Sequence, residues 1–272
     1  MIVRRPLVLL YHRVAQLDDD PWQLAVTPRH FEQQLRVLKT FFRIVPLTQL
    51  VEDAQNGTVA ITFDDGYADN LTIAAPILER HHAPATFFIA TEPIRSQREF
   101  WWDELAQHAT EYATEWAAMK RMSGDAREHA FASHTRVTRE SHRPMTMDDL
   151  RRLASRRGVS IGSHGRTHAC LAALDRDEQH REIAGSRAEL QEWLQRDIDT
   201  FAYPFGRDED YSAETVDVVR EAGYRYAFRS GADVVRRGVD PLQVPRCYVR
   251  DWNAARFGRE LLRWLNRADA AG

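Results

Sequence analysis

Along the chain, short unbroken apolar runs alternate with longer stretches whose apolar residues recur every three or four positions. The first kind reads as a strand buried on both faces, the second as a helix with one buried stripe. Residues 6–11 are the first such run and stop at His12, whereas 14–26 are polar and read as a loop. Thr27-Pro28 supplies an N-cap and a helix-opening proline, and Phe31, Leu35 and Leu38 follow at helical spacing. A strand is predicted over 42–46 and a short helix over 48–54. Asn56-Gly57 then turns the chain into a strand running through Ala60-Ile61-Thr62-Phe63 to Asp64. Next come a helix over 68–81, a strand over 85–90, a helix over 147–156 behind Thr146, and a strand over 159–163 that ends at His164. A long helix is predicted over 177–195. Strand 200–203 is stopped by Pro204 and helix 213–222 by Gly223, and strands near 226–229 and 243–249 precede a helix over 254–266.

Strands alternating with helices predict an α/β fold with a parallel sheet, open or closed into a barrel. Sites in such folds form at the carboxyl ends of the strands. His12, Asp64-Asp65, His164 and Pro204-Phe205-Gly206 all stand at such ends. Residues 93–145 break the rhythm. They are polar, open on Phe100-Trp101-Trp102-Asp103-Glu104-Leu105, and read as a mainly helical insertion within a single domain spanning 1–272.

Composition narrows the partners. The chain has 272 residues, 43% of them hydrophobic, enough for a large core. A formal net charge of −3 gives no basic bias toward nucleic acid. Cys170 and Cys247 make no disulfide framework and fit a reducing compartment. The apolar run after Arg4-Arg5 is too short for a signal-peptide core, and nothing approaches the ~20 apolar residues of a membrane span. The expectation is a cytoplasmic protein without a transmembrane segment; the oligomeric state leaves no trace in the sequence.

Neighbours on a strand face opposite sides, so Asp64 and Asp65 do two jobs only if the chain turns there, which Gly66 permits. By itself Asp-Asp-Gly is an ordinary solvated turn. Gly162-Ser163-His164-Gly165-Arg166-Thr167-His168 spaces two histidines so that one helical turn would bring both imidazoles to one cation. Two imidazoles and a carboxylate are a ligand set that leaves a position open for water and substrate. A metal so held lowers the pKa of its water from about 16 toward about 7. The free Asp is then a general base, a backbone N–H steadies the oxyanion, and His12 is the candidate acid for the leaving amine. The alternative for His12 is a core histidine bonded to the backbone.

Thr62-Phe63-Asp64-Asp65-Gly66, Ser163-His164-Gly165-Arg166-Thr167-His168 and Phe201-Ala202-Tyr203-Pro204-Phe205-Gly206 resemble the polysaccharide deacetylases with NodB homology (carbohydrate esterase family 4). The resemblance runs from about Leu7 to Val249. It implies a distorted (β/α) barrel of seven or eight strands and metal-dependent removal of N-acetyl, occasionally O-acetyl, groups from sugars. It also implies Asp64 as catalytic base, Asp65, His164 and His168 as ligands of one divalent ion, usually zinc (cobalt, nickel and manganese being alternatives), and the Phe205 N–H as oxyanion donor. Two features depart from the common pattern: Ala202 stands where many members carry Arg, and no Leu-x-Leu-His strand closes the chain. Leu9-Leu10-Tyr11-His12 stands at the start instead, and Val244-Pro245-Arg246 lies late. Both are similar to the circularly permuted branch of poly-N-acetylglucosamine deacetylases, in which the early Tyr-His supplies the acid. Arg246 is then expected to orient Asp64 in place of the missing Arg. Trp101 and Trp102, with Tyr203 and Pro204 of the third motif, are the expected substrate-side residues; core packing is the alternative for either tryptophan and for Trp252.

The expected substrate is an N-acetylhexosamine unit of a polysaccharide, oligosaccharide or glycan precursor. A non-sugar amide or cyclic C–N bond on the same fold is the second reading. A non-catalytic carbohydrate-binding protein is the third, and the intact set Asp64, Asp65, His164, His168 and His12 argues against it.

Overall fold

The apolar run after Pro6 forms strand β1 (Leu7–Tyr11), buried throughout. The structure is a computed structural model describing residues 4–108, 112–132 and 138–270. The stretch expected to be loop contains two short strands, β2 (Arg13–Val14) and β3 (Ala25–Val26), paired in parallel. Asp20 accepts from the Leu24 and Ala25 N–H groups and folds the chain back between them. Helix α1 (Pro28–Phe41) begins behind Thr27, whose hydroxyl accepts from the His30 N–H. Strand β4 (Arg43–Ile44), helix α2 (Leu47–Asp53) and strand β5 (Thr58–Phe63) follow.

The helix expected over 68–81 divides into a π-helical turn, Asn70–Ala74, and α3 (Ala75–Arg80). Pro76 has no N–H for the regular i to i−4 bond, so the bonding pattern shifts ahead of it. Strand β6 (Ala85–Ile89) leads into helices α4 (Thr91–Ser96), α5 (Trp101–His108), α6 (Tyr112–Lys120) and α7 (Gly124–Ala130). Residues 109–111 and 133–137 of the stretch read as an insertion lie outside the described residues. Helix α8 (Met147–Ala154) starts at a capping box of Thr146 and Asp149, and strand β7 (Val159–Ser163) follows. The chain then runs through α9 (Arg176–Leu194), β8 (Thr200–Ala202), α10 (Ala213–Glu221), β9 (Tyr226–Ser230), β10 (Val244–Tyr248) and α11 (Ala254–Ala270). No helix of the described residues is long and apolar enough to cross a membrane.

The main sheet runs β1-β10-β9-β8-β7-β6-β5-β4, all pairs parallel, and β1 also pairs with β5. That last pairing, from Leu7 opposite Val59 to Tyr11 opposite Phe63, closes a seven-stranded barrel and leaves β4 outside the ring. β4 takes Thr58–Val59 and β6 takes Ile61–Phe63, so the two share one edge of β5 and the ring is distorted there. The fold is the (β/α) barrel the motifs implied.

Period two along the strands sorts the side chains. Leu7, Leu9, Tyr11, Ile61, Phe63, Phe87 and Ile89 face outward and join the helices in the large core. Val8, Ala60, Phe88, Ala202, Phe228 and Val244 form the separate apolar cluster that fills the barrel. The same parity carries His12, Thr62, Asp64 and Arg246 into the upper part of the barrel, above that apolar plug.

Candidate active site

Asp64 continues the inward face of β5, and Asp65 leaves strand geometry. Its φ is +75°, followed by +104° at Gly66, so two adjacent carboxylates separate into different surroundings. Asp64 is 2% exposed and is gripped by the equally buried Arg246, with Nη1 donating to Oδ1 and Nη2 to Oδ2, both at 2.7 Å. Arg246 also donates to the Thr62 hydroxyl at 3.3 Å. Burial alone pushes the Asp64 carboxyl up, but the Arg246 guanidinium outweighs it and holds it below its ordinary value, ionised. Asp65 has no charged partner of that kind. Neither of its oxygens has a hydrogen-bond partner among the described residues, and burial raises its pKa.

The Nδ1–H of His164 donates to the Ala202 carbonyl at 2.8 Å. Its Nε2 is thereby turned toward the carboxylates, 3.5 Å from Asp64 Oδ2 and 3.7 Å from Asp65 Oδ1. His168 Nε2 lies 3.3 Å from Asp65 Oδ1. One ligand atom from each of Asp65, His164 and His168 falls within 4.8 Å of the others. The two histidines meet, but not on a helical turn as their spacing predicts. The residues after β7 form a loop, with φ +76° at Gly165 and +52° at His168. Glu182 of α9 shapes this loop: Oε2 accepts from the Arg166 and Thr167 N–H groups, and Oε1 from the Thr167 hydroxyl. Burial lowers His164 to about 4 and His168 to about 3, so both imidazoles are neutral, the form that ligates. A buried carboxylate with no donor, beside two neutral imidazoles, is costly unless a cation shares the site. These residues therefore fit a divalent metal with mixed nitrogen and oxygen preference.

A cavity of about 270 Å³ opens onto the cluster, with His12, Trp22, Trp102, Trp116, Phe205 and Tyr248 in its walls. His12 Nδ1 is buried and has no partner among the described residues, and its ring meets Tyr248 edge-on at 5.2 Å. Burial pushes the imidazole below its ordinary pKa, while Asp65 and Asp64 pull the other way. Phe205 has φ +60°, its ring packs edge-on against His168 at 4.6 Å, and its N–H meets no acceptor among the described residues. Asp65, His168 and Phe205 thus all hold left-handed backbone, which costs about 1–3 kcal/mol per residue and persists only where the surroundings impose it. Gly206 is required beside them: a Cβ there would sit 2.7 Å from the Ser230 N.

Of the four substrate-side residues expected from sequence, only Trp102 lines the cavity. Its Nε1–H donates to the Tyr67 hydroxyl at 2.8 Å, and Tyr67 donates to Asp103 at 2.6 Å. Trp101 packs behind it, with the Arg127 guanidinium 5.3 Å from its ring. Tyr203 turns into the core, where its hydroxyl donates to the Leu242 carbonyl at 2.8 Å and its ring stacks on Tyr211 at 4.3 Å. Pro204 lies against Gly165 and outside the cavity wall. Trp252 packs in the core at 6.2 Å from Trp264. Cys170 is buried, 3.7 Å from Asp210, and does not join the histidine cluster. Sequence reasoning missed Trp22, Trp116 and Lys120. A tryptophan inside an otherwise polar loop is the one signal that marks Trp22. Lys120 forms an ion pair with Asp210, whose Oδ2 accepts from the Arg207 N–H, and its ammonium lies 4.6 Å from the Phe205 ring.

A family model described as polysaccharide deacetylase matches residues 52–227. The chain belongs to the polysaccharide deacetylase family. Among curated proteins it is 26% identical over 226 residues to YxkH of Bacillus subtilis (strain 168), which bears a polysaccharide deacetylase designation. That alignment takes in 80% of this chain and 62% of YxkH, so the chain spans under two thirds of that relative's length. Two solved structures share the deacetylase fold. The deacetylase PplD of Streptococcus pyogenes, solved in complex with acetate, superposes with a TM-score of 0.68 at 18% identity, over 96% of this chain and 98% of that one. A de-N-acetylase of Aggregatibacter actinomycetemcomitans gives 0.69 at 16% identity, over 94% and 99%.

Proposed function

We propose that this polysaccharide deacetylase family member is a metal-dependent hydrolase that removes N-acetyl groups from N-acetylhexosamine units of a polysaccharide, oligosaccharide or glycan precursor. The observation that carries the reading is the pair of unlike aspartates. Asp64 is charge-neutralised by Arg246 and kept ionised, while Asp65 is buried with both oxygens bare beside His164 and His168. In this reading Asp65, His164 and His168 hold the ion, and their two nitrogens and one oxygen suit zinc. When bound, such an ion acidifies water and polarises the acetamide carbonyl.

The chain's own groups do the rest. Asp64 accepts the proton of the attacking water, with Arg246 fixing the carboxylate plane by a two-pronged contact. The Phe205 N–H donates to the oxygen that gains charge. His12 supplies the proton that the departing amine requires. Trp22, Trp102 and Trp116 offer the sugar ring apolar wall. The acetate in the PplD structure is the product such a reaction releases.

The test is acetate release from N-acetylglucosamine oligomers and nucleotide-linked N-acetylhexosamines, using metal-stripped protein with zinc restored, beside Asp64→Asn and His12→Ala. Zinc-restored acetate that disappears in Asp64→Asn is expected. Stoichiometric zinc with no acetate from any member of the panel would overturn the proposal.

A further inference from the structure

Once Asp64 is neutralised by Arg246 and Asp65 is turned to the histidines, the cavity wall holds no other carboxylate among the described residues. It does hold three further cations from three separate segments: Lys120 at the end of α6, Arg207 after β8 and Arg250 after β10. They are not equivalent. Lys120 is committed to the buried Asp210. Arg207 and Arg250 are exposed and have no buried carboxylate partner among the described residues. Arg207 lies 3.9 Å from the exposed Glu209; Arg250 donates to the neutral Gln23 amide oxygen, and its guanidinium lies 5.3 Å from the Tyr248 ring. The neighbouring Asp208 lies 3.8 Å from Arg229.

Strand order places these two arginines. β8, β9 and β10 are consecutive in the barrel, and Ser230 at the end of β9 lines the cavity between them. The Asp65 and histidine cluster sits at the ends of β5 and β7, either side of β6. The β8–β10 arc continues round the barrel mouth from β7, within the same cavity wall, and is one direction in which a sugar with its acetamide over that cluster can extend. We propose that Arg207 and Arg250 form an anion subsite, and that the substrate is an acidic glycan carrying a carboxylate or phosphate next to the acetylated sugar. This rests on the deacetylase reading of the same cavity.

The experiment compares three N-acetylated probes: the neutral tetramer of N-acetylglucosamine, a hyaluronan tetrasaccharide bearing carboxylates, and UDP-N-acetylglucosamine bearing a diphosphate. Acetate release is measured with the zinc-loaded protein. Binding is measured separately by quenching of tryptophan fluorescence, which needs no turnover. A KM at least tenfold lower for one acidic probe than for the neutral tetramer is expected, and it rises with salt. Which acidic probe shows it distinguishes carboxylate from phosphate. Arg207→Gln and Arg250→Gln should each cut that preference fivefold or more with kcat for the acidic probe held within about twofold. Equal KM values for neutral and acidic probes, or a preference untouched by both variants, would overturn the proposal. If no probe releases acetate, the deacetylase reading fails. The subsite then stands or falls on whether acidic probes outbind the neutral one and lose that advantage in the variants.

Discussion

Replacing Arg246 with methionine isolates the contact on which the Asp64 carboxylate depends. The side chain is 1% exposed and its guanidinium meets Asp64 twice at 2.7 Å, so two unit charges sit in contact, the carboxylate in the cavity wall and the arginine behind it. At an effective dielectric of about 20, charges ~4 Å apart attract by about 4 kcal/mol. Methionine fills the volume and cancels that attraction, and Asp64 is left beside the neutral imidazole of His164 at 3.5 Å. Removing one partner of a buried pair costs about 3–5 kcal/mol, because the survivor stays buried and uncompensated. At about 2–4 °C per kcal/mol for a chain of this size, the melting temperature falls on the order of 10 °C. Asp64→Asn alone strands the arginine at a comparable cost, whereas the double variant Asp64→Asn/Arg246→Met strands neither charge. Urea unfolding of the four proteins gives the coupling energy directly, and about 3 kcal/mol is expected. Single-variant effects that sum to the double within about 0.5 kcal/mol would refute the reasoning. Arg246→Lys tests geometry: one ammonium neutralises the charge but cannot span both oxygens, so folding recovers further than acetate release.

Three further outcomes follow from the same contacts. Glu182→Gln weakens the three bonds that fold the histidine loop, so zinc affinity by chelator competition should drop about 10–100-fold, and an unchanged affinity would remove Glu182 from the account. Tyr203→Phe deletes one core hydrogen bond to the Leu242 carbonyl; stability should fall by about 1 kcal/mol with KM unmoved, and a raised KM would return Tyr203 to the substrate wall. Asp103 is raised from 3.8 to about 7, chiefly by burial, so the folded state holds its proton more tightly than the unfolded one. Its contribution to stability is therefore full below about pH 4, declines as pH rises toward 7 and is lost above that, a decline that Asp103→Asn should flatten in thermal melts across this range.

What could be read from the sequence was whatever rests on period and punctuation. Unbroken apolar runs stopping at His12, Asp64, His164 and Pro204 located the mouth of the barrel, because a parallel strand buried on both faces has little choice of residue until it surfaces. Arg246 was legible only through its motif, since a lone arginine in Val244-Pro245-Arg246 is otherwise an edge residue. The rest depends on backbone detail that periodicity does not encode. His164 and His168 have helical spacing, yet Gly165 and the carboxylate of Glu182, fourteen positions past His168, bend the segment into a loop. Tyr203 belongs to a motif at a strand end, and strand parity turned it to the core. Trp22 and Trp116 reach the cavity from a loop and a helix whose apolar patterns say nothing about which way they fold.

Closure of the ring through β1 and β5 has a consequence for how the protein is made. Asp64 and its arginine are 182 positions apart, and β10 is the last strand of the barrel to leave the ribosome. At about 5–20 residues per second, roughly ten to forty seconds separate the two during synthesis. Throughout that interval Asp64 lacks the Arg246 guanidinium, and the barrel has a gap where β10 belongs. The Asp64–Arg246 pair and the closed ring are thus completed together, in one step, when β10 docks between β1 and β9.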